Sequence, residues 1–92
     1  AFKRAKLGAV LLMTAVGVPM IWMGEEFGEY KPKMIEQAKI DWTLLKNDLN
    51  QGLFDYYKGL IALRKDNHAL FTDNINFFHE DGDSKVLAYV RW

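Results

Sequence analysis

The sequence predicts an α/β fold, and three patterns carry that prediction. A long uncharged stretch breaks at Gly17-Val18-Pro19 into a helix and a short apolar strand. A second stretch repeats apolar residues at helical spacing, and the final stretch alternates like a hairpin around an acidic turn. The reading is two helices, one short buried strand and a hairpin. By itself the hairpin would recruit the strand into a small sheet covered by both helices.

Residues 2–16 read as a buried helix, with a turn at Gly17 and a buried strand over residues 19–23. Pro is tolerated at the first residue of a strand. A helix feeding a short strand that is apolar on both faces suits a parallel sheet. The run Leu7 to Gly24 has 18 uncharged residues, which also admits a membrane span as an alternative. The Gly and Pro near its middle argue against that reading. No small-residue cleavage site precedes Glu25, which disfavours a signal peptide.

Residues 25–51 are polar and irregular, and long loops of this kind often rim a site. Ile40, Trp42, Leu44 and Leu45 are expected to anchor the loop, with a helical turn over residues 41–46. Residues 53–65 read as a helix through Leu53, Tyr56, Tyr57, Leu60 and Leu63, with Asn50 as its N-cap. Asp55 near its start and Arg64 and Lys65 near its end match the helix dipole. Gly59 in its interior implies close packing at that point. Residues 75–79 and 86–92 read as strands about the turn Glu80-Asp81-Gly82-Asp83-Ser84. Ile75 and Phe77 are expected on one face, near Val86, Ala88 and Val90.

Composition narrows the function classes. The chain has 92 residues, half of them hydrophobic, and no cysteine. Twelve basic residues balance twelve acidic ones, which disfavours a nucleic-acid partner. Disulfides, thiolate metal sites and cysteine nucleophiles are excluded together. His68 and His79 have no second ligand at metal spacing, so no metal site is expected. Ser84 stands in a turn without a nucleophile-elbow context.

Two groups of residues could bind a ligand. Glu25, Glu26 and Glu29 follow the expected strand, where α/β barrels place active-site groups. Glycoside hydrolysis needs two carboxyls facing each other about 5–10 Å apart, which neighbours on one loop rarely supply. Trp22, Phe27, Tyr30 and Trp42 supply aromatic faces of the kind that stack on sugar rings. Taken singly, Trp22 and Trp42 are each expected to be core residues.

Gly17-Val18-Pro19-Met20-Ile21-Trp22-Met23-Gly24-Glu25-Glu26 fits a G-x-P-x-x-x-x-G-x-E pattern. It resembles the eighth barrel strand of the α-amylase superfamily of glycoside hydrolases and glucanotransferases. Lys39-Ile40-Asp41-Trp42 resembles a segment of the following loop. Tyr56-Tyr57-Lys58-Gly59-Leu60-Ile61-Ala62-Leu63-Arg64-Lys65, with Ala69-Leu70, resembles the last barrel helix and its exit. Met23-Gly24-Glu25-Glu26-Phe27-Gly28-Glu29 looks most like glycogen-branching enzymes and their kin.

The resemblance implies a fragment of a (β/α)8 barrel over residues 1–70 and the first hairpin of a C-terminal β-domain over residues 71–92. It implies a parent enzyme acting on glycogen- or starch-like α-glucan in the cytoplasm by a retaining mechanism, through branching or hydrolysis. The family's catalytic carboxylates map onto no residue here, so the chain alone is expected to be inactive. No cofactor is implied, and the family's calcium site lies elsewhere. Glu25, Glu26, Tyr30 and Trp42 are the implied substrate-binding residues at the cleft rim. The basic start at Lys3, Arg4 and Lys6 and the strand pattern running to Trp92 are read as cut ends. Open strand edges would then pair with the remainder of the barrel or drive self-association. The alternative is a non-catalytic carbohydrate-binding or interaction module using Trp22, Tyr30 and Trp42.

Overall fold

The computed structural model describes residues 1–29 and 40–92. Helix α1 spans Phe2–Thr14 and helix α2 spans Asp48–Asp66. Strands β1 (Ile75–Asp81) and β2 (Val86–Arg91) form an antiparallel hairpin. Short 3₁₀ turns lie at Glu25–Phe27, Trp42–Lys46 and His68–Phe71. The turn at Trp42–Lys46 lies where the sequence places a helical turn. Asp41 caps it, its side chain accepting from the Thr43 N–H at 3.1 Å.

The core lies between the two helices. Ala9 and Met13 of α1 meet Leu53 and Tyr57 of α2, with Phe2, Leu12, Ile21 and Leu60 packed around them. The helical period predicts this contact, since Leu53 and Tyr57 stand four residues apart on one face. Helix α1 nevertheless departs from the expected buried helix. Leu7 is 71% exposed, and Leu11 and Val16 are exposed too. Among the described residues only α2 packs against α1 extensively, and it covers one stripe.

The expected strand over residues 19–23 does not form. The segment carries no regular structure, and the sheet of the described residues contains β1 and β2 alone. A strand needs a neighbour to take its backbone groups, and none of the described residues forms a strand beside this one. Val18 is 97% exposed, and Met20 and Met23 are exposed as well. The hairpin does not recruit the segment.

Two details of α2 correct the sequence reading. The N-cap is Asn47, whose side chain accepts from the Leu49 N–H at 2.9 Å; Asn50 stands inside the first turn and is buried. Among the described residues a Cβ at Gly59 would meet nothing within 4 Å, so no close packing there accounts for this glycine.

The hairpin register also differs from expectation. Ile75 faces Arg91 and Phe77 faces Tyr89, then an irregularity between Phe77 and His79 shifts the pairing to His79 with Ala88. An extra residue reverses which side chains share a face. Ile75 and Phe77 therefore lie with Tyr89 and Arg91, and Val90 lies opposite Asn76. The Phe77 and Tyr89 rings stand 5.2 Å apart. Asp81 holds the turn, accepting from Ser84 Oγ at 2.6 Å and from the Asp83 N–H at 3.0 Å.

No helix of the described residues is long and apolar enough to cross a membrane.

Candidate functional site

The loop after residue 23 is a tight turn built by two glycines. Gly24 has φ +95° and Gly28 φ +82°, conformations that side chains with a Cβ rarely adopt. Between them the backbone closes on itself. The Glu25 N–H donates to the Trp22 carbonyl at 2.9 Å, and the Glu29 N–H donates to the Gly24 carbonyl at 2.9 Å. A Cβ at Gly24 would lie 2.7 Å from Glu29 Cβ, so the turn is sterically reserved for glycine there.

Phe27 anchors the turn and is fully buried. Its ring lies 5.5 Å from Trp42 and 6.3 Å edge-on from Phe54 of α2. Its carbonyl accepts from the buried Asn50 Nδ2 at 2.8 Å. A buried carbonyl needs such a partner, so Asn50 locks the turn onto α2.

The predicted site residues divide. Glu25 is exposed and Glu26 half-buried, and Glu26 Oε2 accepts from the Gly24 N–H at 3.1 Å. Trp42 is 62% exposed, with its ring against Phe27. The structure thus holds Trp42 on the same anchor that carries Glu25 and Glu26. Trp22, 49% exposed, precedes the turn. Neither indole is a core residue. Tyr30 lies outside the described residues. Glu29 joins the loop to the next turn, its carboxylate accepting from the Asp41 N–H at 2.8 Å.

Several contributors went unrecognised in the sequence. Phe27 was legible only as one aromatic among four, and Asn50 as a cap. Tyr57 was legible as a core position. Burial first, then the negative charges of Glu25 and Glu26, push its phenol above the ordinary tyrosine value. Ile21, Met23, Glu26, Phe54, Tyr57, Lys58 and Ile61 line an open groove of about 440 Å³ beside the turn.

The arrangement sets hydrogen-bond acceptors beside a flat aromatic face. Carboxylates can accept hydrogen bonds from hydroxyls, and an exposed indole offers a flat apolar face. Glu25 and Glu26 are neighbours on one turn and do not face each other across a bond to be cleaved. The described residues contain no group of three or more His, Cys, Asp or Glu able to hold a metal ion.

Comparison with known proteins finds related chains. The chain is 31% identical to neopullulanase 2 of Thermoactinomyces vulgaris over 94% of its own length. It is 36% identical over 96% of its length to a cyclomaltodextrinase of Thermoanaerobacter pseudethanolicus. It is 30% identical over 76% of its length to the 1,4-alpha-glucan branching enzyme GlgB of Butyrivibrio fibrisolvens. It spans only 14%, 15% and 11% of those three proteins respectively. No family model matches the chain, and no solved structure matches it significantly. These relatives are enzymes of one superfamily with several activities. The chain belongs to the α-amylase superfamily.

Proposed function

We propose that the chain is part of an α-glucan-active enzyme of the retaining type, in which it forms the last helix, strand, loop and helix of a catalytic barrel. In this reading residues 1–70 belong to the barrel and residues 71–92 open a C-terminal β-domain. The carrying observation is the similarity, over nearly the whole chain, to a neopullulanase and a cyclomaltodextrinase, joined by a branching enzyme over three-quarters of it. The substrate is a glycogen- or starch-like chain, and the setting is cytoplasmic. The catalytic carboxylates lie outside these residues. Glu25, Glu26, Tyr30 and Trp42 serve as the rim of the glucan cleft.

The exposed apolar residues support this reading. Leu7, Val18, Met20 and Met23 are open to solvent. Burying such side chains is worth roughly 1.5–3 kcal/mol each, so a neighbouring segment that covers them is strongly favoured. The remainder of the barrel is the proposed cover. Without it, the same surface and the hairpin edges favour self-association.

A second reading is favoured by the exposure of Trp22 and Trp42. Two exposed indoles are what a non-catalytic carbohydrate-binding module would present.

Two measurements test these readings. The 92-residue chain is expected to show no hydrolysis or branching of amylose, whereas the complete protein turns it over. Turnover by the short chain, or none by the complete protein, would overturn the first reading. Amide NMR of the short chain with maltoheptaose separates the second: saturable shifts confined to residues 22–42 favour a binding module, and their absence favours a scaffold piece.

A further inference from the structure

The C-terminal end of α1 is gripped by two arginines that come from different elements. A helix ends with four carbonyls lacking partners inside it, and these carry the negative end of the helix dipole. Arg64 of α2 takes three carbonyls in this region. Its Nη1 donates to Met13 at 2.7 Å and to Ala15 at 3.2 Å, and its Nη2 donates to Gly17 at 2.7 Å. Arg91 of β2 takes a fourth, its Nη1 donating to the Thr14 carbonyl at 2.6 Å. The rest of its fork secures the approach to the hairpin. Nε donates to Asn74 at 2.8 Å, and Nη2 donates to Leu70 at 3.4 Å and to Thr72. Beside it, the hydroxyls of Thr14 and Tyr89 are hydrogen-bonded.

This junction contrasts with the surface around it. No residue of β1 or β2 is buried. The hairpin has no extensive packing against either helix. Its hydrogen bonds to α1 are made at Thr14.

We infer that Arg91, with Tyr89, is a latch that docks the hairpin onto the end of α1, and that the hairpin releases as a unit when the latch is lost. The planar guanidinium suits the task, because it reaches carbonyls in several directions at once. A lysine has a compact ammonium and cannot reproduce that fork. Arg64 caps the same helix end independently, so loss of Arg91 leaves the pair of helices in place.

The chain has no cysteine, so spin labels can be placed without background. Electron–electron distance measurements on the 92-residue chain would use labels at Lys3→Cys and Glu80→Cys, spanning α1 and β1. A second pair at Lys3→Cys and Asp66→Cys reports on the two helices alone. The unsubstituted chain is expected to give one narrow distance for each pair. Arg91→Gln and Arg91→Lys are both expected to lose the narrow distance to the hairpin and to retain the one between the helices. A hairpin distance already broad in the unsubstituted chain would overturn the latch, and so would one that stays narrow in Arg91→Gln. Loss of both distances would show a fold-wide role instead of a local one. A narrow hairpin distance in Arg91→Lys would show that charge alone docks the hairpin and would overturn the fork.

Discussion

Around Leu53, four side chains from two helices are almost wholly withdrawn from water. In the hairpin no side chain is, although it carries Phe77, Phe78, Leu87 and Val90. Both regions are rich in apolar residues, yet only one has assembled a core. Two helices can cover each other's apolar stripes. A two-stranded sheet has two faces and nothing of its own to cover them, and such hairpins are marginal in water. What holds the hairpin is cross-strand pairing, the Asp81 turn and the polar latch at Arg91. Apolar content alone therefore does not predict where stability resides.

The sharpest test of that contrast compares a buried aromatic packed against α2 with an exposed one in the hairpin. Phe27→Ala removes a fully buried ring and is expected to cost about 3–5 kcal/mol. Phe78→Ala removes an exposed ring and is expected to change stability by no more than about 0.5 kcal/mol. Urea unfolding followed by helical circular dichroism measures both. Equal effects would remove the distinction between the regions.

Gly24→Ala comes next. It forces a Cβ into a left-handed backbone and against Glu29. The conformation alone costs about 1–2 kcal/mol, and the steric clash adds to that. The loop amides of residues 24–29 should exchange faster in this variant. Unchanged exchange would mean that the turn tolerates a side chain. Asn47→Ala removes the cap of α2 and should cost about 1 kcal/mol, read by the same unfolding measurement.

The smallest effects are those of pH, and they run in opposite directions. The Ser84 side chain, followed by the Ser84 and Asp83 backbone, holds the Asp81 carboxyl below its ordinary value. A carboxyl lowered by folding contributes stability at neutral pH and loses it as the pH falls below the ordinary aspartate range. The hairpin turn should therefore loosen in acid, and Ser84→Ala should reduce that dependence. Tyr57 is raised by burial and then by Glu25 and Glu26, so the folded state keeps its proton longer. Its contribution is intact below the ordinary phenol value of about 10 and is lost as the pH rises above it. Ring resonances of Tyr57 and amide resonances of residues 81–84 followed across the two pH ranges check both signs.

Much of the fold was legible in the chain. The spacing of Leu53 and Tyr57 marked the buried face of α2, and the acidic run before Lys85 marked the hairpin turn. The site was less legible. The Gly24-Glu25-Glu26-Phe27-Gly28 run was recognisable, and the structure holds Trp42 against it. That Phe27 is the anchor, and that Asn50 serves its carbonyl, depends on a contact between residues 23 positions apart. No local pattern encodes that pairing. Asn47 and Asn50 are equally good caps as residue types, and the structure separates them by their partners, the Leu49 N–H for Asn47 and the Phe27 carbonyl for Asn50.

The sequence by itself determined what depends on neighbours along the chain: helical periodicity, the hairpin turn, the glycines that bend the site loop, and membership of a family through a short motif. Tertiary structure alone decided what depends on residues brought from afar. Residues 19–23 have strand composition but no strand, because a strand exists only where another offers its backbone. The Phe77 irregularity turned the hairpin faces, because one inserted residue reverses a period of two. Arg64, read along the chain as matching the dipole of its own helix, and Arg91 became the partners of the α1 end because carbonyls there had no partners within the helix.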